Sequence, residues 1–106
     1  MNITPRDVID HIIEGEKKTK PTVGAYGRHS RLEGEPATAC ALGAGRYNFS
    51  GNFLVCGNFC EYWDAEVILR QAYADCYGAE IAEDNDRFGR TETVQKIKNL
   101  YPYFEE

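Results

Sequence analysis

No run of about 18 consecutive apolar residues occurs in this sequence, which excludes an ordinary transmembrane helix from it. The segment Met1-Asn2-Ile3-Thr4-Pro5-Arg6-Asp7 lacks the basic-then-apolar order of a secretory signal, so a cytoplasmic location is expected. In that compartment the four cysteines, Cys40, Cys56, Cys60 and Cys76, would stay reduced, and their even number does not establish a disulfide framework. Basic residues are in the minority: 12 Lys and Arg stand against 17 Asp and Glu, for a net charge of -5. That balance opposes electrostatic capture of a phosphate backbone, so neither nucleic acid nor a membrane surface is expected as a direct partner. Low-complexity tracts and internal repeats are missing as well.

What is there suits a folded chain. The 106 residues are 42% hydrophobic and 12% aromatic, with Tyr the commonest aromatic residue, enough for one core and too short for two. A single domain over residues 1–106 is therefore expected. The charge is uneven: residues 1–35 carry six basic and six acidic side chains, whereas residues 36–106 carry six and eleven.

The first helix is well signalled. Thr4 is placed to cap it, Pro5 suits its first turn, Asp7 completes a carboxylate capping box, and Ile3 with Val8 fits a hydrophobic staple. Val8, Ile9, Ile12 and Ile13 make one apolar stripe, and Gly15 with the charged run to Lys20 predicts its end. Residues 19–38 are dense in Gly and Pro and predict loop, with a brief strand from Thr22 to Tyr26. Ala37 to Tyr47 predicts a short helix of small residues, followed by a break at Asn48 to Asn52. Phe53 to Phe59 fits a strand or a buried helical turn equally.

Ala65, Ile68, Leu69, Ala72, Tyr73 and Cys76 then follow helical spacing, with Asp64 as cap and Gly78 as stop. Glu80 to Arg90, with its four carboxylates, predicts a surface connection. Thr91 is placed to cap a last helix whose inner face is Val94, Ile97, Leu100 and Tyr101, stopped by Pro102. The fold class expected is mainly α: a small single-core bundle of about four helices with long loops, which also admits a short β-strand pair.

Several residues bear on chemistry. Cys40 sits near a predicted helix start, where the dipole favours a thiolate, and a base is needed beside it. His29, in a glycine-bounded loop, is the candidate base, with Asn85 or Asp86 to orient it; His11 is predicted on an exposed helix face. Cys40, His29 and Asn85 would then form a Cys-His-Asn arrangement for acyl transfer or hydrolysis. The simpler account makes Cys40 a packing residue.

The spacings of 16, 4 and 16 residues among Cys40, Cys56, Cys60 and Cys76 admit a four-thiolate zinc site, yet only one pair has knuckle spacing. Asp84, Asp86 and Gly89 match part of a calcium loop, but Phe88 and Gln95 occupy two ligand positions. No cofactor is expected. Gly24-x-x-Gly27 and Gly43-x-Gly45 lack the context of a phosphate loop. Tyr62, Trp63, Tyr101, Tyr103 and Phe104 would mark a protein-binding patch where they are exposed together.

The segment Cys40-Ala41-Leu42-Gly43-Ala44, together with Ile81, Asn85-Asp86-Arg87 and Gly89-Arg90-Thr91 leading to Val94, resembles an uncharacterised family of small actinobacterial and bacteriophage proteins. The opening Thr4-Pro5 with Val8-Ile9 is also similar, so the likeness spans most of the chain; the position before Asn-Asp, often Trp in that family, is Asp84 here. The resemblance implies a shared fold and a phage or mobile-element setting, and it brings no catalytic residues with it. On these grounds the leading expectation is a small acidic accessory protein that binds another protein. Glu80, Glu83, Asp84 and Asp86 would face a basic, nucleic-acid-binding surface, as an inhibitor of a host defence or nucleic-acid-handling enzyme would require. The alternatives are a Cys40-dependent enzyme and a small zinc-binding protein.

Overall fold

A computed structural model describes residues 3–30, 34–51, 53 and 60–104, with Cys60 described in its backbone only. The first helix, α1, runs over Pro5–Lys18. Its capping box is formed as the sequence predicts: Thr4 Oγ1 accepts from the Asp7 amide at 3.2 Å, and Asp7 Oδ2 accepts from the Thr4 amide at 3.0 Å. Val8, Ile9 and Ile12 are fully buried, each contributing about 1.5–3 kcal/mol of transfer free energy. Ile3 packs on the same cluster as Val8.

Gly15 does not end this helix. It lies inside α1, buried against α2 (Ala41–Ser50), where a Cβ would stand 1.9 Å from the carbonyl oxygen of Ala44. Gly45 faces back in the same way, with Ile12 and the Tyr62 hydroxyl each 2.6 Å from a Cβ built there. These glycines are small so that two helix backbones can touch; the chain leaves α1 only at Thr19, whose backbone is extended.

Between the two helices lies a three-stranded sheet, β1 (Lys20–Pro21), β2 (Gly27–Arg28) and β3 (Thr38–Ala39), in the order β1-β3-β2. β3 pairs parallel to β1 and antiparallel to β2, with Ala39 opposite both Pro21 and Gly27. The strand expected over Thr22 to Tyr26 is thus displaced to either side, and residues 23–26 form a bend. Because Thr38 and Ala39 are drawn into the sheet, α2 begins later than Ala37; it also runs past Tyr47 to a left-handed Gly51, with φ of 80°. Of the Phe53 to Phe59 segment only Phe53, which is buried, lies within the described residues.

Helix α3 spans Cys60–Tyr77, so Asp64 sits within it and does not cap it. Its inner face is Tyr62, Ala65, Glu66, Leu69, Ala72 and Tyr73, whereas Ile68 is 52% exposed and Cys76 is also exposed. The stripe is rotated from the expected one because two tyrosines and a glutamate turn inward. Gly78, with φ of 69°, ends the helix as predicted.

Glu80 to Arg90 is not a surface connection. It holds α4 (Ile81–Phe88), which buries Ile81, Asp84 and Asn85. The last helix, α5 (Arg90–Asn99), is preceded by Gly89, and no side chain caps it, so Thr91 lies inside the first turn. Val94, Ile97 and Leu100 close the core, and Pro102 sits in a 3-10 turn over Tyr101–Phe104. Among the described residues the architecture is mainly α, with five α-helices around one principal apolar cluster and a small sheet at its side. No helix among them is long and apolar enough to cross a membrane.

Candidate functional site

The four carboxylates of the expected acidic surface separate into two kinds. Glu80, Glu83 and Asp86 are exposed, while Asp84 is withdrawn from solvent. Asp84 Oδ2 accepts from the Tyr73 hydroxyl at 2.6 Å and from Lys96 Nζ at 3.2 Å. Burial alone would raise its pKa, but the hydrogen bonds from Tyr73 and Lys96 and the charges of Lys96 and Arg87 outweigh burial and hold it below the ordinary value. Asp84 therefore joins α3, α4 and α5, and it is corrected out of the binding surface. Its helical setting also removes the calcium loop, because Asp84 and Asp86 stand on α4 and not on a turn.

Asn85, expected to orient a histidine, is likewise buried, and both its amide oxygen and its amide nitrogen are bonded to backbone groups. Its Oδ1 accepts from the Ala41 amide at 3.0 Å, and its Nδ2 donates to the Thr22 carbonyl at 2.9 Å. Arg90 works in parallel, donating to Thr19 Oγ1 and to the carbonyls of Glu16, Thr19 and Ala39. Residues 40–44 and 81–94 thus meet in space: Asn85 and Arg90 tie α4 and α5 to the sheet and to the start of α2.

Cys40 precedes α2 as its cap, and its sulfur accepts from the Gly43 amide at 3.3 Å. Burial raises the thiol pKa despite the Gly43 and Leu42 amides and the charge of Arg46, so the thiolate is disfavoured near neutral pH. His29 is not brought to it. That ring rests 4.9 Å from Phe53 and 5.7 Å from Tyr47 and lines an open cavity of about 900 Å3 with Lys20, Arg28 and Glu35. Cys40 lines a different one. Of the zinc set, Cys40 is buried and Cys76 exposed, Cys56 lies outside the described residues, and so does the Cys60 side chain. Among the described residues no group of three or more His, Cys, Asp or Glu side chains is placed to hold a metal. His11, half-buried between Phe49 and Tyr62, belongs to the packing of α1.

The side chains that do converge surround Arg46, which sequence reasoning missed. Arg46 Nε and Nη2 donate to the two carboxylate oxygens of Glu66 at 2.9 and 2.7 Å, and Nη1 donates to the Phe53 carbonyl at 3.3 Å. Burial by itself would lower the guanidinium pKa, but the bonds to Glu66 and its charge keep it raised. On this buried pair rest two aromatic rings, Tyr26 at 4.2 Å and Trp63 at 5.6 Å from the guanidinium carbon. Both are open to solvent on their outer side, 36% and 42% exposed, and Val67, one turn beyond Trp63 on α3, is 43% exposed. The sequence signal was slight: a lone arginine amid the small residues of α2, and a glutamate inside an otherwise apolar stripe.

Two cavities extend this surface. One, of about 270 Å3, is lined by Gly24, Ala25, Tyr26, Cys40, Ala82 and Asp86. The other, of about 190 Å3, places Glu80 with Val67, Arg70, Gln71 and Ala74. Asp86 stands on α4, and Glu80 is the residue that precedes this helix. Tyr26, Trp63 and Val67 are thus exposed, with Asp86 beside Tyr26 in one cavity and Glu80 and Arg70 beside Val67 in the other. Comparison with protein-family models, with curated proteins and with solved structures finds no match for this chain.

Proposed function

We propose that this protein acts by binding another protein, through the face centred on Tyr26, Trp63 and Val67 and bordered by Glu80, Glu83 and Asp86. The observation that carries this reading is the support of two exposed aromatic rings by one buried ion pair. Rigid aromatic side chains lose little conformational freedom on docking and supply much of the energy of interfaces. Here their positions are set in advance by Arg46 and Glu66, whose bidentate geometry leaves the guanidinium little freedom. The acidic margin selects a basic partner and speeds its approach. In the bacteriophage setting that the resemblance implies, a basic nucleic-acid-handling or defence enzyme of the host is the matching partner, and occupying its groove would inhibit it.

The test is affinity capture of host proteins at low and high salt with the unaltered chain, Trp63→Ala and the triple variant Glu80→Gln/Glu83→Gln/Asp86→Asn, each first checked for folding. One saturable, salt-sensitive partner, weakened by both variants, is the expected result. Capture that ignores both variants, or no saturable partner, removes the reading.

A further inference from the structure

We propose that the cavity lined by Tyr26, Cys40 and Asp86 receives one lysine side chain of the partner, with the Asp86 carboxylate as the counter-charge. The inference deepens the protein-binding reading and rests on it. Its first support is charge. Among the described residues that line this cavity, Asp86 is the one ionised group, since the Cys40 thiol stays protonated and no basic side chain takes part. Arg46, which lies against the Tyr26 ring, is neutralised by Glu66.

The start of α2 lies at the cavity and would otherwise invite an anion, but its amides are occupied. Ala41 donates to Asn85, Gly43 to the Cys40 sulfur, and Ala44 to the Cys40 carbonyl at 2.8 Å. What remains is a carboxylate set beside neutral walls.

The carboxylate is held in place as well. Asp86 Oδ1 accepts from the Gly24 amide at 2.8 Å, and Gly24 takes φ of 76°, a conformation that few other residues adopt. Oδ2 has no partner among the described residues. An arginine fork engages both oxygens of a carboxylate, whereas an ammonium needs one acceptor point, so the half-occupied Asp86 favours lysine. Ala25, Ala82 and Tyr26 supply the walls along which a lysine stem can lie.

The experiment uses the full chain, nitrogen-15 labelled, and titrates it with Nα-acetyl-lysine N-methylamide, its Nε-acetylated form and the arginine analogue. The lysine probe is expected to shift the Gly24, Ala25 and Asp86 amides saturably. The Nε-acetylated form should not, and Asp86→Asn, which keeps an oxygen for the Gly24 amide, should weaken the response about fivefold, as loss of one exposed charge pair does. Because the three probes are compared on the unaltered protein, the result stands even if the variant folds poorly. No shift at these amides, or equal shifts with the acetylated or arginine probe, overturns the proposal. Partner capture through Trp63 is measured separately, so a failed lysine site leaves a distinguishable outcome for the broader reading.

Discussion

Asn48 bridges two side chains of α1: its Nδ2 donates to His11 Nδ1 at 2.8 Å while its Oδ1 accepts from Lys18 Nζ at 2.6 Å. The lysine fixes which way the amide faces, and the amide in turn requires an unprotonated His11 Nδ1. The imidazole is therefore held neutral, with its proton on Nε2. Burial lowers its pKa below the ordinary 6.5, against Asp7 and Asp10, which raise it, and with Lys18, which also lowers it.

A pH dependence follows. The unfolded chain takes up a proton at the ordinary histidine value and the folded chain only below it, so stability is fully present above 6.5 and declines as pH falls from there towards the lowered folded value. Urea denaturation midpoints at a series of pH values between about 7.5 and about 5 should show this decline. In His11→Gln the decline over that window should be reduced; an unchanged profile would locate the effect elsewhere.

Removing one member of the Arg46 and Glu66 pair should be far more harmful than removing both. Arg46→Met leaves the Glu66 carboxylate buried without its counter-ion and is expected to cost about 3–5 kcal/mol, enough to unfold much of a small domain. The double variant Arg46→Met/Glu66→Leu should recover most of that loss. Denaturation curves of the three chains read the difference, and additive losses would show that the pair is not coupled.

Tyr62 is fully buried, yet among the described residues its hydroxyl has no hydrogen-bond partner. Burial also raises its pKa strongly, with Glu66 adding to the rise and Arg46 opposing it. Tyr62→Phe removes the unsatisfied group and leaves the ring stacked on Phe49, so a gain of about 1 kcal/mol in unfolding free energy is expected. A loss of stability in this variant would mean that the hydroxyl has a partner after all, ordered water being the first to look for.

Cys40 should be a slow thiol. In Cys56→Ser/Cys60→Ser the exposed Cys76 is expected to react with a thiol reagent at the rate of a small-molecule thiol, and buried Cys40 to lag until denaturant is added. Faster labelling of Cys40 than of a model thiol at neutral pH would revive an enzymatic role for it.

Parts of this molecule are legible residue by residue. The capping box of α1 needs only Thr4 and Asp7, the end of α3 only Gly78, and the buried positions of α5 follow from apolar spacing. Elsewhere the same rules mislead. Gly15 reads as a stop because a glycine weakens any helix, but its value lies in contact with Ala44, 29 positions away along the chain. α4 reads as a connection because its carboxylates suggest solvent; Asp84 and Asn85 are buried because Tyr73, Lys96, Thr22 and Ala41 meet them. The proposed binding face was equally hidden, since nothing in the spacing of Tyr26 and Trp63 shows that both rest on one guanidinium.

The capping box of α1, the apolar stripes of α1 and α5 and the mainly α class could be read directly from the residues, because the forces involved act within one or two turns of chain. Which faces turned inward, which charges were buried and which aromatic rings stayed open depended on helix packing. Those outcomes turn on the desolvation of Arg46, Glu66 and Asp84, and a charge can leave water only where a distant partner is already in place to receive it.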